Sequence, residues 1–164
     1  MNAPTRLTLA TEGDTEVVVT RRFAAPPELV YRAHVEPDLI RRWMTGPDGW
    51  EMPRCECDPR PGGAIRYDWA PAGGGEGGFH LTGEFRELVP HSRIVHVERM
   101  HLPDPTPDNE ITTTFEPTAD GGTLLTARMR LPNAESRAAM LASGMEHGME
   151  DSYARIDGLF ADAG

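Results

Sequence analysis

Between residues 50 and 131 the chain carries six runs of strand-forming residues with no helical segment between them. The runs are Trp50 to Asp58, Ala64 to Ala70, Phe79 to Val89, Arg93 to Leu102, Glu110 to Pro117 and Gly122 to Leu131. Strands joined without crossover helices point to an antiparallel meander. The turns support this. Pro59-Arg60-Pro61-Gly62-Gly63 and Pro90-His91-Ser92 break the pattern, and Asp120-Gly121-Gly122 is a strong hairpin signal. In the third run Phe79, Leu81 and Phe85 fall on one face and His80, Thr82, Glu84 and Arg86 on the other.

A Val/Thr-rich run from Thr15 to Phe23 reads as an earlier strand, and Met1 to Asp14 as a loose polar arm. Pro27 suits the first turn of a short helix, because its missing N–H would be unsatisfied there anyway. Pro37 interrupts that helix, and Asp38 to Met44 forms a second, ending near Gly46-Pro47. Past the strands, Asn133 is a suitable N-cap for one long helix over Ala134 to Ala161. Along it Leu141, Met145, Gly148, Met149, Ser152, Ile156 and Leu159 recur at helical steps. Gly144 and Gly148 lie on or near this apolar side, either for close approach to the sheet or to leave room. The resulting fold class is α+β, one domain over residues 15–164. A curved antiparallel sheet of six or seven strands wraps around a long C-terminal helix, with two short helices after the first strand.

Composition removes whole classes of function. All 16 basic residues are Arg, and the net charge is −10. Without lysine there is no Schiff-base chemistry and no P-loop. An acidic chain with no basic run suits neither nucleic acid nor an anionic membrane surface. Cys55 and Cys57 share one strand face and read as small residues in a reducing compartment, with the cytoplasm as the expected location. No metal or cofactor motif is present.

Several motifs resemble one family in order and spacing. Phe23-Ala24-Ala25-Pro26-Pro27-Glu28-Leu29-Val30-Tyr31, followed by Pro37-Asp38-Leu39-Ile40 to Trp43, resembles the opening of the START-like (SRPBCC) superfamily, related to the birch pollen allergen. Asp58 to Gly63, Gly83 to Ile94, Gly122 to Thr126 and Gly144 to Tyr153 resemble the branch named after the activator of the heat-shock protein 90 ATPase. The resemblance implies a helix-grip fold with an apolar cavity between sheet and helix. Met44 and Met149 depart from it, standing where that branch often has aromatic side chains.

The expected cavity lining is Trp43, Trp50, Tyr67, Trp69, His80, Met145, Gly148, Met149 and Tyr153. The expected partner is a small hydrophobic or aromatic molecule, with a homodimer left open. A polyketide-cyclase-like enzyme with a strand histidine as acid or base is the first alternative, and a chaperone-associated domain the second. No residue is assigned to catalysis or to a metal. The sets His80/Glu84/Arg86 and His96/Glu98 are read as solvent-face residues of the sheet. His147, Glu150 and Asp151 are read as a solvated helix face.

Overall fold

The computed structural model describes residues 6–46, 48–102 and 106–161. Residues 1–5 of the expected arm, Pro47, and residues 103–105 of the Pro/Asp loop lie outside it. The strands are β1 (Thr8–Glu12), β2 (Glu16–Phe23), β3 (Trp50–Cys57), β4 (Ala64–Pro71), β5 (Phe79–Val89), β6 (Arg93–His101), β7 (Asn109–Pro117) and β8 (Thr123–Arg130). They form one antiparallel sheet in the order β1-β2-β8-β7-β6-β5-β4-β3. Helices α1 (Pro27–Val35) and α2 (Pro37–Trp43) follow β2, and α3 (Ala134–Ala142) and α4 (Met145–Leu159) close the chain.

Two expectations are corrected. The polar arm contains a strand: β1 pairs with β2 from Thr8↔Thr20 to Glu12↔Glu16, so the sheet has eight strands. The sequence hides it because β1 is almost wholly exposed and has no apolar alternation. The long C-terminal helix is two helices. Gly144 sits between them at φ 81, a left-handed conformation that glycine adopts without a Cβ penalty. It therefore breaks the helix rather than lining its apolar side. The Asn133 cap is as expected, its side chain accepting from the Ser136 amide at 2.8 Å.

Strand alternation decides which side chains enter the interior. Val17, Val19, Arg21 and Phe23 point inward from β2, and Leu125, Ala127 and Met129 from β8. The densest packing lies where α1, α2 and the C-terminal half of α4 meet these strands: Val30, Ile40, Leu125 and Ile156 are fully buried there. Aromatic contacts knit this region. Tyr153 meets Phe23 edge-on at 5.5 Å and stacks on Trp43 at 6.0 Å. Edge strand β3 is irregular, with its register against β4 shifting between Glu51 and Arg54, on either side of Pro53.

Arg21 is the exception in this apolar interior, with a side chain only 1% exposed. Its Nη2 and Nε donate to the Glu150 carboxylate at 3.0 and 3.1 Å, and its Nη1 donates to Asp157 at 2.9 Å. Its guanidinium also lies 4.9 Å from the Phe23 ring centre. Glu150 further accepts from the Leu7 amide at 2.8 Å. Burial disfavours the charged carboxylate of Glu150, but the hydrogen bonds from Arg21 and Leu7 outweigh it and hold the carboxyl below its ordinary range. Glu150 is therefore not part of a solvated helix face. His147 and Asp151 are, 82% and 58% exposed.

Removing the cation alone leaves the largely buried Glu150 carboxylate without its counter-ion, so Arg21→Met should cost about 3 kcal/mol in urea unfolding. Adding Glu150→Leu to that variant should recover a large part of the loss, because the uncompensated charge is what the first substitution leaves behind.

Candidate ligand cavity

The helix that closes the sheet is apolar in an uneven way. Tyr153 and Ile156, in the C-terminal half of α4, are buried. The N-terminal half offers Met145, Gly148, Met149 and Ser152, none of them buried. A Cβ added at Gly148 would meet no atom within 4 Å, so this glycine faces open space rather than a closely packed strand. Between this half of α4 and the sheet lies a cavity of about 430 Å³. That volume falls within the range of small-molecule sites.

The sheet side is built by alternation. β4 contributes Ile65, Tyr67 and Trp69, and β5 contributes Phe85. β6 contributes Ile94, His96, Glu98 and Met100. Asn109, Ile111 and Thr113 enter from β7, and Ala127 and Met129 from β8. Met44 and Met140 complete the wall from the helical side. Unbranched thioethers fill irregular space and adapt to what they contact. Two indoles are fixed by backbone carbonyls. Trp43 Nε1 donates to Ala33 O and Trp69 Nε1 to Met44 O, each at 2.7 Å, so the rings turn their apolar faces to the cavity with the N–H satisfied.

An outer chamber of about 460 Å³ adjoins this cavity, sharing Met44, Trp69, Met100, Gly148 and Ser152 with it. Phe79 stacks on Trp69 at 5.1 Å and leans on Trp50 at 5.6 Å, and Asp151 and Arg155 supply the charges.

The inner cavity has one polar pole. His96 and Glu98 project from the same face of β6, and His96 Nε2 lies 2.8 Å from Glu98 Oε1. Asn109 is the cross-strand partner of Glu98 and is 6% exposed. His96 Nδ1 and Asn109 Oδ1 are buried without a hydrogen-bond partner among the described residues. His34 joins them from α1, with Nδ1 2.8 Å from Val30 O. Burial drives its pKa down to about 4, against the carbonyl's pull upward and with His96 adding to the fall. Burial also raises the Tyr67 and Tyr153 hydroxyls, and the nearby Glu98 carboxylate raises them further, while Arg21 opposes the shift at Tyr153.

Of the nine expected lining residues, Trp43, Tyr67, Trp69, Met145, Gly148, Met149 and Tyr153 converge on the inner cavity. Trp50 lines only the outer chamber. His80 is on the other face of β5, its ring stacked on that of His101 at 4.3 Å, because the inward positions of that strand are Leu81 and Phe85. His96 and Glu98, read as solvent-face residues, point inward instead. β6 carries Val95 and Val97 on one face and Ile94 and Met100 on the other, so apolar alternation alone does not choose between them. His34 and Asn109 were not assigned to the site by the sequence reading, because nothing in the local pattern of α1 or of the start of β7 marks them as facing a cavity. Cys55 and Cys57 are free thiols, as expected, and burial with the neighbouring Cys55 and Asp58 pushes Cys57 up to about 12, against the pull of a hydrogen bond with Tyr67. Neither is a ready nucleophile. Among the described residues no group of acidic, His and Cys side chains is arranged to hold a metal.

Residues 24–161 match the family described as Activator of Hsp90 ATPase homolog 1-like protein. The chain belongs to this family. A crystal structure of a Rhodobacter sphaeroides protein is 29% identical, covers 96% of this chain and 99% of its own, and superposes with a TM-score of 0.86. A Chromobacterium violaceum protein is 27% identical, with 88% and 96% coverage and a TM-score of 0.71. A Mycobacterium smegmatis protein at 22% identity, with 95% and 96% coverage and a TM-score of 0.80, shares the fold. No protein of curated function matches the sequence. Among the described residues no helix is long and apolar enough to cross a membrane.

His34 gives the cavity a pH signature. Its ring takes up a proton near pH 4 when folded and near 6.5 when unfolded. Between those values the unfolded chain binds more protons, so this contribution is complete above 6.5 and is lost as pH falls toward 4. Denaturant titrations across that window should show a loss of about 3 kcal/mol, and His34→Phe should flatten the dependence.

Proposed function

We propose that the protein is a binding domain for a small hydrophobic or aromatic molecule held between α4 and the sheet. The observation that carries this reading is the cavity of about 430 Å³ walled by Trp, Tyr, Phe and Met side chains. Apolar surface of that kind gains most by excluding water around a ligand. A native core would instead close over itself, whereas here the space between α4 and the sheet is left unfilled. The family's printed description refers to activation of a chaperone ATPase. A net charge of −10 gives no independent support for extending that activity to this chain.

A neutral, environment-sensitive apolar dye should bind the purified protein with one-to-one stoichiometry and quench the tryptophan emission of Trp43 and Trp69. Gly148→Leu should plug the cavity, lowering dye affinity at least tenfold with no loss of thermal stability. A wild-type protein that takes up no dye would rule the binding reading out.

The second reading is a cavity enzyme of the polyketide cyclase type, and one observation favours it: His96 is held by Glu98 inside the cavity. A histidine oriented by a carboxylate beside a bound substrate is equipped to take a proton from carbon next to a carbonyl. On this reading the protein should speed deuterium exchange at the central carbon of an aromatic β-diketone, and His96→Phe should remove the acceleration. Exchange at the buffer rate in both proteins would leave binding alone.

A further inference from the structure

Resting on the binding reading, we infer that the ligand is a neutral, hydroxyl-bearing aromatic of the phenol type, which delivers its one O–H to this acceptor pole, to His96 Nδ1 or to Asn109 Oδ1 beside it. The argument starts from hydrogen-bond bookkeeping. A carboxylate only accepts, so the 2.8 Å contact between Glu98 Oε1 and His96 Nε2 places the imidazole hydrogen on Nε2. In the neutral ring Nδ1 is then a bare lone pair, and it is buried without a partner. Asn109 Oδ1, also an acceptor, is buried and unpartnered on the neighbouring strand. His34 adds a third acceptor. Its Nδ1 hydrogen is given to Val30 O, which leaves Nε2 with a lone pair on a ring that lines the same cavity.

Two of the donors in the cavity wall are, by contrast, already engaged. The indole N–H groups of Trp43 and Trp69 both bond backbone carbonyls. The hydroxyls of Thr113, Ser152 and Tyr153 can turn either way, but no arginine lines the inner cavity and the chain has no lysine. Glu98 places a negative charge at the same pole. A buried acceptor left without a donor costs free energy, and a donor brought by the ligand recovers it. A ligand carboxylate would instead meet Glu98 with no cation to offset the repulsion, which disfavours fatty acids and aromatic acids. The positive charge of Arg155 belongs to the outer chamber, where its Nη1 lies 3.3 Å from Trp43 O. Apolar shape thus admits aromatics in general, and the pole selects among them by the direction of one hydrogen bond.

Three probes of one size separate these terms: 2-naphthol, 2-methoxynaphthalene and 2-naphthoate, titrated calorimetrically at neutral pH. The expected order is naphthol tightest, by about tenfold over the methoxy compound, with naphthoate weakest. Asn109→Leu and His96→Phe should each shrink the ratio of naphthol to 2-methoxynaphthalene affinity by about threefold or more, read as a ratio within each variant, with circular dichroism and thermal melting checking that the fold is kept. Equal binding of naphthol and its methyl ether, or naphthoate binding tightest, would overturn the donor inference and leave the binding reading standing. Failure of all three probes to bind wild-type protein would overturn the binding reading and this inference with it.

Discussion

The three-pronged contact of Arg21 with Glu150 and Asp157 ties the fold together. A guanidinium with its side chain 1% exposed is costly to desolvate, and only the fixed geometry of several charge-assisted hydrogen bonds offsets that cost. Both carboxylates lie on α4, seven residues apart, so they grip the helix at two turns two spacings apart rather than at a point. The same face of the helix is held by Tyr153, wedged between Phe23 and Trp43. Pinned through Glu150, Tyr153 and Asp157, α4 can hold Met145, Gly148 and Met149 over the sheet without filling the space beneath. Apolar residues at positions 21, 150 and 157 together could stabilise comparably, but they would lack the directional bonds that the guanidinium makes to the helix.

The hollow and the core are therefore two ends of one design. At one end, β-branched and aromatic side chains from β2, β8, α1 and α2 pack to completion. At the other, thioethers and a glycine replace bulk. Met44 and Met149 depart from the aromatic pattern of the related branch, and both line the cavity. A flexible thioether in place of a rigid ring enlarges the range of shapes that can be accommodated. Specificity then passes to the polar pole, where His34, His96, Glu98 and Asn109 bring directional groups into an otherwise apolar enclosure.

Much of this was legible from the residues. The turn chemistry and alternation located β2 to β8 closely, Pro27 and Pro37 opened the two short helices, and Asn133 capped α3. Seven of the nine residues expected at the cavity reach it. What could not be read follows from long-range geometry. β1 forms because β2 offers it a hydrogen-bonding edge, not because Thr8–Glu12 carries an apolar pattern. Glu150 looks like a solvated helix residue until a buried arginine from more than a hundred residues earlier is brought beside it. On β6 both faces are half apolar, so the inward direction of His96 and Glu98 is decided by the registers with β5 and β7, which no single strand contains.

The irregular β3 edge bears on how the molecule behaves in a crowd. An open eight-stranded sheet has two borders, and a border with free N–H and C=O groups invites another chain to add a strand. On β3 the register shift and Pro53 interrupt the row of donors, while Glu51, Arg54 and Glu56 put charges along it. A protein that keeps an unfilled apolar interior forgoes part of the stability that a packed core would provide, and it opens more often as a result. On this border the interruption and the charges work against strand-to-strand growth when such openings occur.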